Sequence, residues 1–259
     1  MIGDELALAP TIGALERLYI RLMGVPVNGL RIRLRRILPH CTGQPHEILD
    51  AGCGRGVFTF ELAKKFSTAT VVGVDMDKTQ LATNRAIAQK AGLANIDFRC
   101  QDVANLPYRE EFDLVLSVDN LEHIADDHRA LHGLTRALRP GGCLVLHVPG
   151  AERRWFLFRF RENFSVPGHF RPGYSLESIA GMVTAAGLQI EKIFYTYGWL
   201  ETVSNNISYA ITRAEAKNRP LYALLFPLLN AMAWLGRNSR PDKGAGVLVI
   251  ATKVVREKS

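Results

Sequence analysis

The stretch Ile48-Leu49-Asp50-Ala51-Gly52-Cys53-Gly54-Arg55-Gly56 is an apolar strand running straight into a glycine-rich turn. Glycines there let the backbone turn sharply and let a ligand approach with no Cβ in the way. A helical pattern, 57–66, follows at once, and the next apolar run, 70–75, ends on Asp75, nineteen residues after Gly56. A carboxylate at that place can accept both hydroxyls of a ribose. Working outward, β-branched runs at 46–51, 70–75, 96–100, 112–118 and 143–148 alternate with helical patterns at 57–66, 78–91 and 128–138. Pro140, Gly141 and Gly142 are expected to break the last helix. This alternation predicts an α/β fold with a doubly wound, mostly parallel sheet. A further helix is expected at 175–186 and further strands at 189–196 and 246–253.

These features fit any adenosine cofactor, a dinucleotide included. Asp50 separates the possibilities, because a carboxylate ahead of the glycines repels a pyrophosphate and attracts a cofactor that carries an ammonium group. That favours S-adenosylmethionine. After the third strand, Gln101-Asp102-Val103 supplies a carboxylate able to accept from an adenine amino group, and Phe112 to Ser117 supply the next sheet edge. The runs Asp50 to Gly56, Val74-Asp75, Leu121-Glu122-His123 and Leu138-Arg139-Pro140-Gly141-Gly142 together resemble the class I S-adenosylmethionine-dependent methyltransferases, in particular the small-molecule group that includes the ubiquinone-pathway enzymes. The resemblance covers about residues 46–150, with a looser continuation to 196.

The resemblance implies a seven-stranded sheet with an antiparallel last strand and the cofactor across the carboxyl ends of the first strands. It places Asp50, Gly52, Gly54 and Gly56 around the methionine part, Asp75 and Met76 at the ribose side, Asp102 and Val103 at the adenine, and Ser117 near the sulfonium. Asp77 reads as a helix cap.

Methyl transfer needs the acceptor atom in line with the methyl carbon, so positioning supplies much of the rate. A base is needed when the acceptor must lose a proton, as a hydroxyl must. His123, just past the fourth strand, is a candidate base, since an imidazole titrates near neutral pH; it serves equally as a residue supporting the loop. His169 and Tyr174 are further acid/base candidates. Asp119, Glu122 and His123 form D-x-x-E-H, similar to the E-x-x-E-H of the ubiquinone-pathway enzymes, whose members can use a divalent ion; whether this chain uses one is open.

The chain has 259 residues, 47% hydrophobic and 22% charged, which excludes disorder as its main state. Four cysteines without C-x-x-C spacing read as reduced thiols in an intracellular protein. With no secretory pattern and no apolar run of 18 residues, a cytoplasmic location is expected. Net charge is +3 over residues 1–45, −3 over 46–150 and +7 over 151–259. The basic flanks suggest an anionic partner.

Residues 1–45 read as a basic amphipathic arm, with Leu30, Leu34, Ile37 and Leu38 interleaved by Arg31, Arg33, Arg35 and Arg36. Residues 46–259 read as the catalytic domain, with an aromatic and basic lid over 151–174 and a helical insertion over 201–244. The lid alternates Arg153, Arg154, Arg159, Arg161 and Arg171 with Trp155, Phe156, Phe158, Phe160, Phe164, Phe170 and Tyr174, a pattern that grips an anionic head and an apolar body together or packs as core. The apolar run from Leu221 to Leu235 reaches only ~23 Å as a helix, too short to span a bilayer. It is expected to lie on an anionic membrane surface from which a lipophilic small molecule is taken, or to form a buried cap. No N/D-P-P-Y/F tetrapeptide and no P-C pair is present, so no nucleic-acid partner is expected. Transfer to oxygen is favoured, since His123, His169 and Tyr174 offer protic chemistry; C- or N-methylation of a soluble metabolite and a non-catalytic binding role stay open.

Overall fold

The computed structural model describes residues 2–151, 168–213 and 219–255. Seven strands form one sheet: β1 Glu47–Ala51, β2 Thr70–Asp75, β3 Ile96–Cys100, β4 Phe112–Val118, β5 Leu138–Pro149, β6 Leu188–Thr196 and β7 Gly246–Lys253. Their order is β3-β2-β1-β4-β5-β7-β6. β1 to β5 run parallel, and β7 pairs antiparallel with both β5 and β6. The expected doubly wound sheet with an antiparallel last strand is what the chain forms.

Helices α1 (Ala14–Met23), α2 (Asn28–Ile37), α3 (Val57–Lys65), α4 (Lys78–Ala91), α5 (Asp127–Ala137), α6 (Leu176–Ala185), α7 (Trp199–Arg213) and α8 (Arg219–Leu235) flank it. Central strands are buried on both faces, which is why β1, β2 and β4 read as continuous apolar runs rather than alternating ones. Leu49, Ala51, Val72 and Val74 point to the core shared with α5 and α6. Ile48, Val71, Leu114 and Leu116 point to the core shared with α2, α3 and α4.

Two local expectations are corrected. Pro140-Gly141-Gly142 does not sit at the end of a helix: α5 stops at Ala137, and Leu138 already pairs with Phe112 in the sheet. The turn residues instead take up a register shift between Phe112 and Leu114. The arginines of α2, expected to face an anionic surface, turn inward. Arg36 Nε donates to Glu201 Oε1 at 2.9 Å, with both side chains buried. Arg31 lies over the Phe226 ring at 5.3 Å, Arg33 pairs with Asp119, and Arg35 reaches Asn230.

The N-terminal helices and the late insertion therefore pack on each other. Tyr19 Oη donates to Ala223 O at 2.7 Å, and Asn28 Nδ2 to Ser204 Oγ at 3.1 Å. Together α1, α2, α7 and α8 form a helical cap. Among the described residues, no helix is long and apolar enough to cross a membrane.

Candidate active site

The glycine-rich turn owes its shape to three left-handed residues, Gly52, Gly54 and Gly56, with φ of 79°, 47° and 75°. It is pinned to the end of β2: the Gly52 and Cys53 amides both donate to Val74 O at 2.9 Å, and the Gly54 amide donates to Asp75 Oδ2 at 2.8 Å. From α4, Asn84 Nδ2 donates to Gly54 O at 2.8 Å. A Cβ on Gly54 would meet no atom within 4 Å, whereas one on Gly52 would collide with the Asn120 amide. The turn thus opens onto space at its middle glycine and is closed by Asn120 at its first.

Asp50 sits one residue before the end of β1, on the face of α3, and is 2% exposed. Thr59 Oγ1 donates to its Oδ2 at 2.6 Å. Burial pushes its carboxyl up to about 7, against the hydrogen bond from Thr59, which favours the charged form; the nearby Asp75 charge pushes the same way as burial. A buried carboxylate so poised is suited to a cation arriving beside it.

Asp75 also accepts from the Asp77 amide at 3.0 Å, which orients its two oxygens and leaves lone pairs for further donors. Met76 beside it is 68% exposed. Asp77 caps α4, accepting from the amides of Thr79 and Gln80. Asp102 accepts from the Ala104 amide at 2.9 Å and from Asn105 Nδ2 at 2.6 Å, next to the buried Val103. At the carboxyl end of β4, Ser117 Oγ is fully buried without a hydrogen-bond partner among the described residues, and so is Asn120 Nδ2. Native interiors seldom leave such groups unmatched. These orphaned polar atoms, the open middle glycine and the buried carboxylate fit a polar, cationic cofactor laid across β1, β2 and β4.

A cavity of about 460 Å³ is lined by residues from β5, α2 and α7 and from the loop that follows β4, among them Arg33, Asp119, Glu122, His123, His147 and His169. His123 Nδ1 lies 3.0 Å from Gly168 O. A carbonyl only accepts, so Nδ1 carries the proton, and in the neutral form of the ring the lone pair is on Nε2. The His169 ring stands edge-on to it, centroids 4.4 Å apart. Ligand atoms of Glu122, His123 and His169 lie within 4.8 Å of one another, a set able to hold a divalent ion.

Asp119 does not complete that set. It adopts φ of 48°, rare for a residue with a side chain, and turns to His147 Nδ1 at 2.6 Å and to Arg33. His147 in turn reaches Thr196 Oγ1 at 2.9 Å.

Tyr174 does not join the cavity. It is buried in the core with its hydroxyl donating to Asp127 Oδ2 at 2.7 Å, and burial pushes its phenol well above the usual range. It holds α5 rather than an acceptor. Of the lid, residues 152–167 lie outside the described residues; Arg171 pairs with Asp127 at 2.8 Å, and Phe170 is exposed.

Sequence reading missed Asn120 and His147 and did not place Arg33 at the site; it expected helix over 201–244 but missed the face of α7 whose Thr202, Asn205, Asn206 and Tyr209 line the cavity. The signal was present, because positions i, i+3, i+4 and i+7 make one helical face.

Residues 45–170 match the model of a methyltransferase domain. The chain is 35% identical over 113 residues to the ubiquinone biosynthesis O-methyltransferase of Nitrobacter winogradskyi, covering 43% of this chain and 41% of that one. It is 33% identical over 128 residues to the protein of the same name from Coxiella burnetii, covering 49% and 53%. The matched stretch thus spans about half the length of these relatives. Among solved structures, the [4+2]-cyclase SpnF superposes with a TM-score of 0.59 at 21% identity, over 88% of this chain and 81% of that one. A geranyl diphosphate methyltransferase in complex with GPP and sinefungin superposes with a TM-score of 0.59 at 16% identity, over 87% and 79%. At these identities the structural likeness shows the fold.

Proposed function

We propose that this chain, a member of the class I S-adenosylmethionine-dependent methyltransferases, O-methylates a lipophilic or amphipathic small molecule. The bound cofactor supplies a methyl group on a positively charged sulfur, already activated for transfer. What the chain adds is position and a proton acceptor. Asp50, Gly52, Gly54 and Gly56 hold the methionine end, Asp75 and Met76 the ribose side, Asp102 and Val103 the adenine, and Ser117 the region of the sulfur. His123 accepts the proton of the acceptor hydroxyl on Nε2, and His169 packs against its ring and fixes its plane.

The observation that carries this reading is the Gly168 carbonyl on His123 Nδ1, which leaves a basic nitrogen in the cavity beside the cofactor cradle. The test is formation of S-adenosylhomocysteine from S-adenosylmethionine in the presence of lipid and quinol extracts. A product heavier by one methyl group, reduced by about a hundredfold or more in His123→Ala, is expected. No turnover with any extract, or full turnover in the variant, contradicts the reading.

The acceptor's source is proposed to be the cytoplasmic face of an anionic membrane. With the α2 arginines turned inward, this rests on an apolar surface: Leu15 (83% exposed), Leu18 and Leu22 on α1, with Leu224 (75% exposed), Leu228 and Leu235 on α8. Exposed leucines grouped on two packed helices suit an interfacial position. Co-sedimentation with vesicles of phosphatidylglycerol and phosphatidylcholine at low salt tests it. Binding that Leu224→Glu abolishes is expected; no binding, or binding unaffected by that change, contradicts it.

A further inference from the structure

The acceptor cavity has hydrogen-bond donors that the protein does not match. Asn206, on α7, is 3% exposed, and its Nδ2 is buried with no hydrogen-bond partner among the described residues. Arg33, on α2, spends one guanidinium nitrogen on Asp119 but leaves Nε buried and unmatched among the same residues. Both residues are among those that line the 460 Å³ cavity that holds His123. Neither helix belongs to the stretch matched by the methyltransferase-domain model, residues 45–170.

A buried donor without an acceptor is costly, so two of them in one cavity mark a place where a ligand supplies the acceptor. Asn206 also sits on a helix face whose other cavity-lining members, Thr202, Asn205 and Tyr209, are polar. That face is unsuited to an alkyl chain and suited to an oxygen-bearing head.

We infer that Asn206 and Arg33 determine acceptor specificity by donating hydrogen bonds to a second oxygen on the methyl acceptor, separate from the hydroxyl that is methylated. That oxygen is a ring hydroxyl, a carbonyl or a carboxylate; all three accept from N–H. This rests on the cavity being the acceptor site, as proposed above. It goes further in naming the residues that choose the acceptor and the group they read. A site built to hydrogen-bond an oxygen rejects an analogue that lacks it far more strongly than an apolar pocket rejects a missing methylene.

The experiment compares three probes of similar size, a 4-alkylphenol, a 4-alkylcatechol and an alkylated hydroxybenzoate. Methyl transfer and direct binding by calorimetry are measured with the full chain and S-adenosylmethionine or its demethylated product. The wild type is expected to favour the catechol or the hydroxybenzoate over the phenol by about a hundredfold in kcat/KM. In Asn206→Leu the preference is expected to collapse through KM. Asn206→Asp, which replaces a donor by an acceptor at nearly constant volume, should move it furthest against the carboxylate. Arg33→Lys keeps a cation opposite Asp119 while removing Nε–H, and should weaken the preference. Cofactor affinity, measured separately, reports that the variants are folded.

Equal use of the three probes by the wild type, or a preference that survives both Asn206 variants, overturns the inference while leaving the methyltransferase reading intact. Binding that depends on Asn206 without any methyl transfer overturns that reading and keeps only the recognition of a ligand oxygen by Asn206. Neither binding nor transfer for all three probes overturns both.

Discussion

The glycine-rich cradle and the cavity around His123 are assembled by opposite means. The cradle is made of contacts close in sequence: Thr59 to Asp50 spans 9 residues, Gly54 to Asp75 spans 21, and Asn84 to Gly54 spans 30. Several of these partners are backbone amides and carbonyls. The cavity is roofed by a cap whose contacts join distant side chains: Arg36 to Glu201 spans 165 residues, Asn28 to Ser204 spans 176, and Tyr19 to Ala223 spans 204. One half is specified by local spacing and strand ends, the other by pairings across the chain. The cradle can therefore stay fixed while the cap, and with it the acceptor, changes.

The largest effect that would sharpen this division is in the cradle. Asp50→Asn is expected to lower affinity for S-adenosylmethionine by about a hundredfold, since one ionic partner of the ammonium is lost in a buried place. The same change should not lower the melting temperature at pH 8. The folded-state carboxyl of Asp50 is raised to about 7 from 3.8. Its contribution to stability is therefore fully present below the unfolded value and is lost as pH rises through about 7, so the charged form weighs against the fold at pH 8. Calorimetry and thermal denaturation check both parts.

In the cap, Arg36→Met leaves Glu201 buried without its guanidinium partner and is expected to cost about 3 kcal/mol or more. Trp199 lies on α7 and Trp234 on α8, so in a Trp155→Phe background tryptophan fluorescence follows the cap during urea unfolding. The division predicts an earlier fluorescence transition with cofactor affinity retained at low urea. A single transition in which cofactor affinity is lost together with the cap would break the comparison.

A milder effect comes from pH. A cation beside Asp50 favours its ionised form, so affinity for the cofactor should fall as pH drops through about 7. The loss expected between pH 8 and pH 6 is about tenfold, and it should be absent in Asp50→Asn.

The smallest effect concerns Tyr174. Tyr174→Phe removes one hydrogen bond to Asp127 and is expected to cost about 1 kcal/mol of stability without altering turnover. Loss of turnover with stability intact would return Tyr174 to the acceptor site.

The same division explains how much was legible in the sequence. Asp50, the three glycines and Asp75 could be read because a strand, a turn and a helix start fix their places within thirty residues. Asp77 could be read because a cap acts on amides two and three residues ahead. Arg31, Arg33, Arg35 and Arg36 could not. Their spacing gives a basic face, but Glu201, Asn230 and Phe226, which receive three of them, lie in an insertion whose docking no local pattern encodes. Tyr174 looked like a protic candidate because it ends the aromatic and basic segment that follows the fifth strand. Only the tertiary contact with Asp127 shows that its hydroxyl is occupied. Pro140-Gly141-Gly142 has the composition of a helix stop, but the sheet begins two residues earlier and absorbs the turn as a register shift.

A buried carboxylate, Asp50, ahead of three left-handed glycines is proposed to cradle a sulfonium cofactor. Isothermal titration of the purified chain with S-adenosylmethionine, S-adenosylhomocysteine and a nicotinamide dinucleotide tests it most directly. Saturable one-to-one binding of the first two, weakened in Asp50→Asn, and no heat from the third are expected. Uptake of the dinucleotide with indifference to both sulfur compounds would contradict it.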